Sequence, residues 1–126
     1  MAIPSGSGTE VLYRTTINAQ ATDITAFRWD RTNATTGTDT YTVPANHIIT
    51  VLTVYICNTE ATARTVKFWV NDGTNVIRML FDQSIGEKET FVMNDRIVLV
   101  AGDALLLEAS GGNIDAHCSY IDQDWT

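Results

Sequence analysis

Along most of this chain, apolar and polar residues alternate with a period of two. In "EVLYRTTI", Val11, Tyr13, Thr15 and Ile17 fall on one side and Leu12, Arg14 and Thr16 on the other. That period matches a strand, whose successive side chains point to opposite faces. "TAFRWD" sets Phe27 and Trp29 on a common face, and "RTVKFWV" sends Val66, Phe68 and Val70 one way and Lys67 and Trp69 the other. "NDGTN" then supplies turn chemistry, and "VIRMLFD" returns with Ile77, Met79 and Phe81 on one face, which predicts a hairpin. The most apolar run, within "YTVPANHIITVLTVYICNT", places Ile48, Leu52, Val54 and Ile56 on one side and Ile49, Val51 and Tyr55 on the other. Such a run predicts a central strand covered on both faces, with Pro44 just ahead of it where no ladder donor is needed.

"TFVM", "RIVLV", "ALLLEAS" and "IDAHCSYI" add further short strands, separated by "SIGEKE", "ND", "AGD" and "GGN". No stretch carries apolar residues at helical spacing over a dozen positions. About eight strands with close turn signals predict an all-β fold: a single-domain antiparallel β-sandwich, jelly-roll-like, with two sheets packed face to face. The small residues of "IPSGSG" read as a flexible arm, so the expected organisation is an arm over residues 1–9 and a sandwich over 10–126. No repeat of fixed period suggests a propeller or solenoid.

Composition narrows the function. The 126 residues are 44% hydrophobic and 18% charged, with a formal net charge of -7, which is globular and acidic. A protein that grips nucleic acid through phosphates needs a basic surface, and anionic membranes would repel this one. We therefore expect neither partner. The N-terminus has no basic segment leading into an apolar run, so the expectation is a soluble chain made in the cytoplasm. Cys57 and Cys118 lack metal-type spacing and read as two buried free thiols, with a disulfide between them left open.

The densest chemistry lies in "NIDAHCSYIDQDWT". On a strand, however, Ile114, Ala116, Cys118 and Tyr120 share one face while Asp115, His117, Ser119 and Ile121 share the other. His117 and Cys118 then cannot converge on one ion, and a metal site needs three or four convergent ligands. His47 and His117 are too few and too far apart for a cupin-type centre. Asp122 and Asp124, or Glu87 and Glu89, read as solvated charge. No nucleophile elbow or phosphate loop occurs. The expectation is no catalytic residue, no cofactor and no metal. The sequon at Asn33 lacks a secretory context. Trp69 and Trp125 stand out as candidate exposed aromatics, suited to an interface.

Three segments carry a family resemblance: "PSGSGTEVLYRTTI", "YTVPANHIITVLTVYICNT" and "CSYIDQDWT". Together they resemble small virion proteins of tailed phages, many from marine and cyanobacterial viruses. The resemblance implies a non-enzymatic structural protein located in the virion and commonly trimeric. Its expected role is capsid decoration, binding the major capsid protein or other virion proteins and stabilising the head. Docking would run through the arm residues Ile3, Pro4, Ser5 and Gly6 together with Val11 and Leu12. The alternative is a tail, baseplate or fibre component that takes host glycans on Trp69 and the loop Asn33–Asp39.

Overall fold

The computed structural model describes residues 9–125. Nine strands run in the order β1 (Thr9–Gln20), β2 (Thr25–Ala26), β3 (His47–Asn58), β4 (Arg64–Asn71), β5 (Val76–Ile85), β6 (Thr90–Met93), β7 (Ile97–Val100), β8 (Ala104–Ala109) and β9 (Ile114–Asp124). They form two sheets, one ordered β1-β9-β3 with β6 and β7 both beyond β3, the other ordered β2-β8-β4-β5. Every pairing is antiparallel.

The short strands β6 and β7 occupy consecutive lengths of β3, facing Val54–Cys57 and Ile48–Val51 in turn. Counted as one interrupted strand, they leave eight. First then pairs with last, second with seventh, third with sixth and fourth with fifth. That is a long hairpin rolled up on itself, the double-sheet jelly roll. The expected fold class is thus the observed one.

The core fills the space between the sheets. Ile17, Ile49, Ile56, Leu99 and Ile114 come from the first sheet, and Phe68, Leu105 and Leu107 from the second, all fully buried. Aromatic rings bridge the layers. Phe68 meets Phe27 edge-on at 6.0 Å, Phe27 lies 6.4 Å from Trp29, and Trp29 meets Tyr120 edge-on at 5.0 Å. Such offset and T-shaped contacts add to the large apolar area that these rings remove from water.

Two sequence expectations fail on bulges. In β3, the register passes from Val51↔Tyr120 to Thr53↔Ser119, so Leu52 is an extra residue. The inward set is therefore Ile49, Val51, Val54 and Ile56, all at 0% exposure, while Tyr55 lies outside at 44%. The strand buries one face rather than two. A bulge shifts the phase of everything beyond it.

In β5, irregularities lie opposite Lys67 and between Phe68 and Trp69, and Asp82 takes a left-handed φ of 57°. Ile77, Met79 and Phe81 consequently do not share a face. Leu80 enters the core, Met79 packs partly against it, and Ile77 and Phe81 are exposed. As the free edge of its sheet, β5 gains from bulges that spoil it as a template for pairing with another chain. The hairpin itself forms as expected, with Asn71 opposite Val76 and the Asp72 carboxylate accepting the Thr74 and Asn75 N–H groups.

The 20 positions between β2 and β3 form the longest connection. They are tied down: Ala26 N–H donates to Thr38, Ala34 N–H to Thr16, and Val43 N–H to Asp103. The Gly37 N–H reaches the Thr25 hydroxyl at 2.9 Å.

Candidate functional site

The C-terminal cluster disperses, as strand alternation requires. Cys118 is buried in the core, where desolvation pushes its thiol far above the usual range. Cys57 lies on the opposite face of the sheet, across from Asp115, and both cysteines are free. Asp115 accepts the Ala19 N–H at 2.9 Å. Among the described residues, no group of three or more His, Cys, Asp or Glu could hold a metal ion.

The sequence reading missed Asp122. It continues the inward face of β9 past Tyr120 and is 4% exposed, not solvated. A buried carboxylate needs a donor, and His47 at the start of β3 supplies one, its Nδ1 lying 2.7 Å from Asp122 Oδ1. The same ring turns Nε2 toward Asp124 at 3.8 Å. Register explains the meeting, because His47 lies opposite Asp124 and Ile49 opposite Asp122. The Trp125 N–H donates to the Asn46 carbonyl at 3.2 Å and closes that end of the sandwich. Nothing local in the sequence signals this contact between residues 75 positions apart.

The tryptophans also differ from expectation. Trp69 does point away from the main core, yet it is only 6% exposed. Ala26, Ala104 and Leu106 pack around it, with Ile24 and Tyr41 beside them. The Arg78 guanidinium lies 4.6 Å over its ring. Trp125 is half-buried, its indole Nε1 buried without a hydrogen-bond partner among the described residues. Trp29 is core. A glycan platform on Trp69 therefore has no open aromatic face, although most of the Asn33–Asp39 loop is exposed. Ile3, Pro4, Ser5 and Gly6 lie outside the described residues. Val11 is half-buried opposite Asp122, and Leu12 is 67% exposed opposite Ile121.

Leu12 belongs to the most distinctive surface, the outer face of the β1-β9-β3-β6/β7 sheet. Cross-strand register lays its side chains in rows. One row runs Leu12, Ile121, Thr50, Val98, and another Thr16, His117, Tyr55, Val92. Leu12, Tyr55, Val92 and Val98 are each at least 43% exposed. Between these rows lies an open groove of about 560 Å³ lined by Leu12, Tyr13, Arg14, Leu52, Thr53, His117 and Ser119. A second, of about 320 Å³, lies on the other side of His117 against Tyr55 and Cys57. The His117 and Tyr55 rings sit 6.1 Å apart as a ridge between the grooves, with His117 Nδ1 buried and without a hydrogen-bond partner among the described residues. Among the described strand residues of this face, the ionised side chains are Glu10 and Arg14 on the β1 edge and Asp115 at one end, and exposed Asp95 and Arg96 join β6 to β7 along the opposite edge.

The protein class that this architecture defines is the jelly roll with an open, apolar outer sheet face. Comparison with solved structures bears on the first half of that statement. The chain resembles part of the structure of infectious bursal disease virus Gx strain, with a TM-score of 0.54, 12% identity, and 96% of this chain against 34% of that one covered. This chain thus spans about a third of the viral chain that it matches, and the likeness shows a shared fold. Looser matches are a pentameric capsid protein isolated from metagenomic phage sequences (TM-score 0.36, 16% identity, 86% of this chain and 64% of that one) and the VLP of giant freshwater prawn Macrobrachium rosenbergii extra small virus (TM-score 0.34, 11% identity, 96% and 84%). No protein-family model matches the sequence, and no curated protein matches it either.

Proposed function

We propose that this chain is a structural protein of a virion, and within that role a decoration protein of a tailed-phage head. The observation that carries the reading is the outer sheet face. A strongly acidic domain leaves open a sheet surface with exposed apolar rows, and contiguous apolar surface of that kind marks a protein–protein contact. The jelly-roll fold shared with part of a viral structure supports it, as does the sequence resemblance at both ends of the chain. The work is assembly by surface complementarity, without a reaction.

In this role the residues before β1 reach a neighbouring major capsid protein, with Ile3 and Pro4 as the apolar contacts and Val11 continuing them along β1. A chain lacking the first eight residues keeps every described strand. It is expected to fold with an unchanged far-UV circular dichroism spectrum and to lose binding to undecorated heads in co-sedimentation. Full binding by the truncated chain would contradict docking through the arm.

A further inference from the structure

We propose that the outer face of the β1-β9-β3-β6/β7 sheet is a two-fold interface that takes a second copy of this same chain. Three observations on the face select that occupant. Charge is the first. At a net charge of -7, two copies repel over most of their surfaces, and like charges brought together cost several kcal/mol. On this face the ionised groups lie at the margins, Glu10 and Arg14 on the β1 edge, Asp115 at one end and Asp95 and Arg96 between β6 and β7, so Leu12, Thr50, Thr53, Tyr55, Val92 and Val98 form a neutral set between them.

Area is the second. Four strand widths at ~4.8 Å and about 12 residues at ~3.3 Å give roughly 19 Å by 38 Å, on the order of 700 Å². Specific interfaces bury about 600–1,000 Å² per partner, and the face falls within that range.

Shape is the third. The His117–Tyr55 ridge stands between two grooves, toward the Asp115 end of the sheet. A ridge flanked by grooves on one copy can enter a groove of the other when both use the same patch. That self-complementarity is what a two-fold contact requires. The other large apolar residues exposed among the described residues, Val76, Ile77 and Phe81, lie on the bulged edge strand β5 among Arg78, Lys67 and Asp82, and form no comparable cross-strand rows. A trimer, the expectation from the sequence, would need two different patches meeting head to tail.

This inference does not rest on the virion reading, because it concerns the free protein in solution. The test is sedimentation equilibrium of the full chain at micromolar concentration, with far-UV circular dichroism as the check on folding. The expected wild-type mass is twice 13.9 kDa. Leu12→Glu and Val98→Glu each place a carboxylate on the face at an already exposed position, and each is expected to weaken association on the order of a hundredfold. Phe81→Glu, equally exposed but on β5, leaves the dimer unchanged. Should one face variant fail to fold, the other carries the test. A wild-type mass of one copy or of three overturns the proposal. So does a dimer indifferent to both face variants, or one broken by Phe81→Glu. A full-length monomer that dimerises only when residues 1–8 are removed would also overturn it, by assigning the face to the chain's own arm.

Discussion

Asp30 opens the long connection after β2, and its carboxylate accepts from the Arg28 guanidinium at 2.6 Å and from the Thr32 N–H and hydroxyl. The Arg28 hydrogen bond is the largest cause that draws the Asp30 pKa down to about 2, against roughly 3.9 in an unfolded chain. A depressed folded pKa stabilises the protein above the unfolded value and ceases to do so as pH falls through the folded one. In urea unfolding, Asp30→Asn is therefore expected to be less stable than wild type at pH 7, by a small margin because both partners are partly exposed. The gap should close between pH 4 and about 2. A gap of equal size at pH 7 and pH 2 would contradict this assignment. At the same scale, alternation alone separates Cys118 from His117 and disarms the suspected terminal site. The burial of Asp122 was hidden because its partner, His47, arrives from another strand. Trp69 was hidden in the same way. Its outward direction follows from alternation, but its cover of Ala26, Leu106 and Arg78 comes from three other segments.

Between elements, the His47–Asp122 contact pins the start of β3 to the end of β9, and β9 in turn holds the first half of β1. Removing the donor leaves a buried carboxylate without it, which costs more than an ordinary hydrogen bond contributes. His47→Ala is expected to lose about 2–3 kcal/mol in chemical denaturation, with faster amide exchange at the Asp122–Asp124 end of β9. A loss below ~0.5 kcal/mol, the range of an ordinary surface change, would show that the contact is incidental. The sequence revealed where strands lie but not where they slip. Val51, Leu52 and Thr53 are all strand formers, so nothing local distinguishes the bulged Leu52 from a regular position. Only the pairing with Tyr120 and Ser119 does so. The β5 irregularities escaped for the same reason, while the turn at Asn71–Asn75 announced itself through Asp72 and Gly73, whose φ of 93° favours glycine.

For the whole molecule, eight strand lengths rolled into two sheets use one apolar set to fill the core and leave a second on the outer face of one sheet. The core set was legible because burial on one face imposes alternation. The outer face was not: Leu12, Tyr55, Val92 and Val98 read individually as ordinary members of apolar strands. Their assembly into rows depends on β1, β9, β3 and β6/β7 lying side by side in that order. An open sheet face with apolar rows on an acidic jelly roll supports the proposal that the protein is a structural component of a virion. Immunogold electron microscopy of intact virions, with antibody against this chain, tests that claim most directly. Gold distributed over the head is the predicted result. Gold confined to the tail would contradict decoration of the head, and particles without gold would contradict a place in the virion altogether.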